Sequence, residues 1–265
     1  MNKVLGRYDA VAIRRLFTEE GIVAAVEDRG FSGLGCRVDA RNLVLPHARL
    51  YGHKGAHRFL LLDACVGEAR VQKDFFDARG YPIDRPIDLV VVHWVREQDP
   101  TAAFPADRPP LLLQRHPGLG ILRRAFRVVV RMATELQKDA VVNVPKFFHD
   151  AQIFFRSRLF LFLDAEEQGR FEALARDLAS LSLGDASLAL LGGCVRDASG
   201  AAVVWNPGYQ VFPLSDPVRT YFHSEGYCAA VRRTQERSRF AVDMDALARV
   251  RVRCHRDRWQ RPAAA

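Results

Sequence analysis

Arg115-His116-Pro117-Gly118-Leu119-Gly120 stands directly before an amphipathic stretch, and that spacing suits the binding of an anion. A glycine turn that opens a helix leaves several backbone N–H groups unpaired and aimed at one point. The positive end of the helix dipole adds to them, so a phosphate or pyrophosphate is the favoured ligand. Glycine also admits close approach, because it has no Cβ. Gln114, Arg115, Gly118, Leu119, Gly120 and Ile121 are the residues expected to form this seat. Two side chains upstream suit proton transfer. His93 alternates with Val91 and Val95 and could face a cleft as a base, the competing expectation being a hydrogen-bonded core histidine. Glu97, just past that run, could accept a proton or stand in solvent.

The elements that must position these residues follow from pattern. Ile87–Val95 is the clearest strand, β-branched and bounded by prolines. Asp99–Pro110 holds four prolines and reads as a loop, and Leu111–Gln114 as a short strand leading into the glycine turn. Leu119–Gln137 has the apolar spacing of a helix, with Arg123, Arg127 and Arg131 as a separate stripe. That stripe is either an ordinary charged face or a phosphate contact. Upstream, residues 8–29 carry helical spacing interrupted at Gly21. Gly30, Gly33 and Gly35 suggest a loop, Phe59–Asp63 a buried strand and Glu68–Gly80 a helix. Downstream, Ala140–Val144 and Leu159–Leu163 read as strands, and Lys146–Arg158 and Ala165–Leu181 as helices. Ser187–Val195 and Ala201–Trp205 suggest a hairpin around Asp197–Gly200, and Tyr209–Leu214 a further strand. Alternating helices and strands imply a mixed α/β layer architecture.

The stretch 111–163 resembles the GCN5-related N-acetyltransferase (GNAT) superfamily, as a divergent member. Arg115, Gly118 and Gly120 match the fixed positions of that family's [RQ]-x-x-G-x-[GA] loop. Ala151-Gln152-Ile153-Phe154-Phe155-Arg156-Ser157-Arg158-Leu159-Phe160 has the spacing of its A-x-x-L-Y-x-x-x-G-F segment. Three positions depart from the pattern. Phe155 replaces the tyrosine that often protonates the leaving thiolate, Leu159 replaces a glycine, and Phe148 replaces an asparagine. The resemblance implies an α/β (α+β) fold, with a mixed, mostly antiparallel sheet that splits in a V and flanking helices. It further implies a core region at 87–163 within a domain spanning 1–215, followed by a basic extension at 216–265. Acyl-CoA, acetyl or longer, would lie in the split, with its pyrophosphate on residues 118–121 and its pantetheine along 111–114. The implied activity is direct attack of an amine on the thioester, with His93 or Glu97 as the candidate base and no metal. Acyl-carrier protein is an alternative donor.

Composition bounds these readings. The chain has 265 residues, 49% of them hydrophobic, enough to bury a sizeable core. No apolar run reaches the ~20 residues of a membrane span, and the first residues lack a secretory h-region, so a cytoplasmic protein is the expectation. Cys36, Cys65, Cys194, Cys228 and Cys254 are scattered, which suits neither a zinc site nor a disulfide framework. The formal charge is +8, and residues 232–261 hold ten arginines against four acids. Arg249, Arg251 and Arg253 alternate with Val250 and Val252, as an edge strand or a charged arm would. Nothing resembles a zinc finger, an RNP motif or a recognition helix, so a nucleic-acid reader lacks support. A non-catalytic protein that keeps the acyltransferase scaffold and meets an acidic partner through the basic end is the second reading. His149 and Asp150 suit either a cleft mouth or a solvated helix face, and the phenylalanines between 147 and 162 suit core packing or an acyl pocket.

Overall fold

The computed structural model describes residues 2–42, 44–105, 110–156 and 160–259, with side chains up to residue 253. In chain order the elements are α1 (Ala10–Glu19), α2 (Ile22–Glu27), β1 (Ser32–Asp39), β2 (His47–Lys54), β3 (His57–Val71), α3 (Lys73–Asp77), β4 (Ile87–Glu97), α4 (Leu122–Glu135) and β5 (Ala140–Asn143). There follow α5 (Phe148–Arg156), β6 (Leu161–Phe162), α6 (Ala165–Asp177), α7 (Leu183–Leu191), β7 (Val195–Asp197) and β8 (Gln210–Pro213). The last are α8 (Asp216–His223), α9 (Glu225–Arg237), β9 (Phe240–Val242) and α10 (Met244–Trp259). Two compact units result. One comprises 1–108, 114–144 and 210–223; the other comprises 109–113, 145–209 and 224–265.

The first unit is a mixed, mostly antiparallel sheet with helices. β1 to β4 form an antiparallel meander, β5 pairs parallel to β4, and β8 pairs antiparallel to β5. Period-two alternation gives β1–β4 two unlike faces. Val38, Ala48, Leu50, Leu62 and Ala64 share the buried face. The facing residues of α4, among them Ala125, Phe126, Val129 and Met132, are buried too. Asp9 caps α1 by accepting the Ala12 N–H at 2.9 Å, and Gly21 (φ 71°) breaks the chain between α1 and α2. Arg127 and Arg131 of α4 reach Glu20 and Glu19 of α1 at 2.7 and 2.6 Å. Their stripe thus ties two helices together.

β4 is the strand on which the site depends. Its pairing with β3 runs from Leu62↔Glu97 to Cys65↔Trp94 and resumes at Val66↔Val92. His93 is therefore an extra residue, a β-bulge. The parallel pairing with β5 ends one residue earlier, at Val92↔Asn143. Beyond the bulge β4 runs on to Glu97 without β5 beside it.

Five elements differ from the expectation, one of them Ala201–Trp205, which forms no strand beyond an isolated Arg196↔Ala202 bridge. Gly33 and Gly35 lie inside β1, where the register shifts between Ser32 and Gly35, because an edge strand absorbs glycine at an irregularity. Glu68–Val71 belongs to β3: its pairing with Ile87–Val90 overrides the helix preference of Glu, Ala and Arg, and only Lys73–Asp77 is helical. Leu111–Gln114 is no strand; Leu113 takes φ 62° and is exposed. Ser187–Leu191 is helical, as part of α7, capped by Ser182. Leu159, expected in a strand, lies outside the described residues, as do Ser157 and Arg158.

In the second unit, Phe148, Phe162, Phe171, Leu174, Ala189, Val195 and Leu247 meet in one core. Phe155 stands edge-on to Phe171 with centroids 5.1 Å apart, and Phe148 lies 5.7 Å from both Phe171 and Trp205. The phenylalanines are packing residues. Arg249, Arg251 and Arg253 ride on α10, not on a strand, and Arg251 is paired with Asp185 at 2.8 Å.

Candidate functional site

The backbone amides before α4 do converge, and an anion already sits on them. Leu119, Gly120 and Ile121 donate their N–H groups to the carboxylate of Glu97 at 2.5, 3.3 and 3.4 Å. They lie just before α4, Ile121 as its N-cap, and have no acceptor within the helix. β4 delivers the acceptor, because its last residue ends beside the helix start. A Cβ on Gly118 would lie 2.5 Å from Glu97 Oε1. The glycine of the motif is thus required for close approach to a protein carboxylate. Gly120 serves otherwise: φ is 75°, and the space where a side chain would begin is open.

Burial raises the Glu97 carboxyl above the usual 4.5, opposed by the three amides and by Arg29. Desolvation is the largest effect, so this carboxylate takes up a proton more readily than a solvated glutamate. The sequence suggests a proton acceptor or a solvated side chain at this position; here both carboxylate oxygens are engaged by backbone amides. His93 does not join it. Four residues of strand, about 13 Å, separate the two. His93 is hydrogen-bonded to the Val44 backbone, and burial lowers its affinity for a proton. Of the seat residues expected from the sequence, Leu119, Gly120 and Ile121 supply the amides and Gly118 the room. Gln114 and Arg115 lie upstream, Arg115 exposed.

Other polar clusters were hidden from the sequence. His149 is buried, not on a cleft mouth or a solvated face: its Nδ1 meets Ser187 Oγ at 2.8 Å, and its ring stacks on Phe147. Burial lowers its proton affinity and raises that of Asp150, 3.4 Å from its Nε2. On β2 and β3, His47 Nδ1 lies 2.8 Å from Asp63 Oδ1, and Arg49 Nε lies 3.2 Å from the same oxygen. The hydrogen bonds His47–Asp63, Arg49–Asp63 and His149–Ser187 span 14 to 38 positions, too far for a local motif to announce them. The four cysteines with described side chains are free thiols. No described helix is long and apolar enough to cross a membrane.

No protein-family model and no curated protein matches the chain. The mixed architecture, with its large and mostly antiparallel sheet, is compatible with a GNAT-like fold.

Proposed function

We propose that the chain is an acyl-CoA-dependent N-acyltransferase of GNAT type, transferring an acyl group from a thioester to an amine. The observation that carries this reading is the juxtaposition at β4. The β4–β5 pairing stops at Val92↔Asn143, where β5 itself ends, and β4 runs on past the His93 bulge to end against amides at a helix start. The length of β4 that β5 does not cover is an edge for an extended amide chain, and amides at a helix start hold a diphosphate. Glu97 occupies that seat in the absence of ligand, so acyl-CoA binds by displacing its carboxylate, with Gly120 on the open side. Once displaced, the carboxylate is a base beside the open end of β4.

Isothermal titration of acetyl-CoA and longer acyl-CoAs against the native protein and Glu97→Ala tests this. The variant empties the seat, and affinity for acyl-CoA rises at least tenfold, about 1.4 kcal/mol. Absence of binding by both proteins overturns the proposal. Gly120 is the poorer probe, because its positive φ strains any replacement side chain.

One pair of observations favours the second reading, a non-catalytic scaffold that binds an acidic partner. Phe155 has no proton to give where the resemblance calls for tyrosine, and it is packed against Phe171. Glu97 fills the seat. Under this reading Glu97→Ala gains nothing for acyl-CoA. An acidic carrier protein instead binds with an affinity that falls steeply with salt, and replacing the exposed Arg249 and Arg253 with alanine weakens it.

A further inference from the structure

β5 is apolar until its last residue. Ala140, Val141 and Val142 are buried, and one more apolar side chain would complete the strand. Asn143 stands there instead, 3% exposed. Its Nδ2 and Oδ1 find no hydrogen-bond partner among the described residues. Paired residues share a face, so Val92 of β4 and Gln210 of β8 flank it. Val92 has no polar side-chain atom, and Gln210, directly opposite, does not satisfy the Asn143 amide. Burying an amide without partners is costly, whereas a valine at this place would leave nothing unpaired. Such a group calls for a role beyond packing.

Its place in the sheet supplies one. Asn143 is the residue at which β5 stops beside β4, and Val144, the next along, is 47% exposed. Asn143 is thus the last buried group before solvent on that strand. From Val92, its partner, five residues of β4 lead to Glu97 and the helix-start amides, roughly 16 Å of extended chain. The arm of a CoA thioester between the diphosphate and the acyl carbonyl is about as long as five residues of extended chain. A diphosphate on the amides of 119–121 therefore puts the acyl carbonyl level with Asn143. That carbonyl accepts a hydrogen bond and an incoming amine donates one; a side-chain amide offers the complement of both.

We infer that Asn143 recognises the acyl group: Nδ2 donates to the carbonyl oxygen of the thioester, and Oδ1 accepts an N–H of the amine. The inference rests on the acyltransferase reading and deepens it. Position 143 lies in neither of the two segments, 115–120 and 151–160, that carry the family resemblance. The contact also separates an acylated CoA from the free thiol, which lacks the oxygen.

Isothermal titration of the full chain with acetyl-CoA and with CoA reads the contact as a ratio within one protein. The native chain is expected to bind acetyl-CoA at least tenfold more tightly than CoA. Asn143→Ala binds the two alike, with its affinity for CoA unchanged. The infrared stretch of acetyl-CoA labelled with 13C at the carbonyl falls on binding to the native chain and stays put on binding to Asn143→Ala. Thermal unfolding checks the premise. An amide without partners adds no stability, so the midpoint of Asn143→Val holds or rises. A fall of several degrees would mean that buried water already satisfies the side chain, and overturns the inference. Equal affinity of the native chain for acetyl-CoA and CoA overturns it and leaves the acyltransferase reading standing. No binding of either, by the native chain or by Glu97→Ala, overturns both.

Discussion

Glu97 is both the anchor of a helix and the occupant of an anion seat. Replacing it with glutamine keeps one acceptor oxygen but removes the charge, so Glu97→Gln tests the electrostatic part. The folded-state pKa of Glu97 lies above its value of about 4.5 in the unfolded chain, because burial disfavours the charged form. Between those two values the folded state binds more protons, so native stability declines as pH rises through that window. Glu97→Gln removes this decline. Urea titrations of both proteins from pH 4 to 8 are expected to show curves that converge toward low pH and separate above it. A constant offset would mean that Glu97 does not titrate in the seat. Sequence pattern made the seat legible and its occupant not. The glycine spacing announces converging amides, whereas a contact across 22 positions between Glu97 and Leu119 depends on where β4 ends.

At the level of single elements, legibility tracked how far pairing could override local preference. Ile87–Val95 reads as a strand because β-branched residues between prolines permit little else, and Gly21 reads as a break, where the backbone takes φ 71° as glycine allows. Glu68–Arg70 has helix-forming residues, yet β4 supplies a ladder that they join. Ser187–Leu191, rich in leucine, fits a strand or a helix equally by composition, and Ser182 at the cap decides it. The end of α4 has a testable flaw. Lys138 N–H reaches Ala133 O at 2.9 Å and Gln137 takes φ 53°, a helix stop that normally employs glycine. Gln137→Gly relieves the left-handed cost of about 1–2 kcal/mol and adds a backbone entropy cost of about 0.5–1 kcal/mol. A net gain of about 0.5–1 kcal/mol is expected, read as an upward shift in the urea midpoint.

Across the whole molecule, charge and core are not where composition alone would put them. The arginine-rich end looked like a solvated run, but α10 inserts Leu247, fully buried, into the core of the second unit beside Phe171 and Val195. Deleting residues 232–265 would strip that core, so surface substitutions are the better probe of the basic end. Leu247→Ala is expected to cost about 2–5 kcal/mol. The check is hydrogen exchange, with lost protection in α6, α7 and α10.

The extra residue at His93 also decides how tolerant β4 can be of change. On a regular strand Val92, Trp94 and Arg96 would all look the same way from end to end. The bulge lets the half beside β5 and the half that bears Glu97, Trp94 and Arg96 keep separate alternations. Removing His93 itself would leave Val66↔Val92 and Cys65↔Trp94 paired as they are, but losing a residue between Trp94 and Arg96 would act as a frameshift in space, turning the Glu97 carboxylate from the helix start toward the arginine-bearing side. Point substitutions along this strand alter one group at a time, whereas a gap beyond the bulge turns every later group to the other surface.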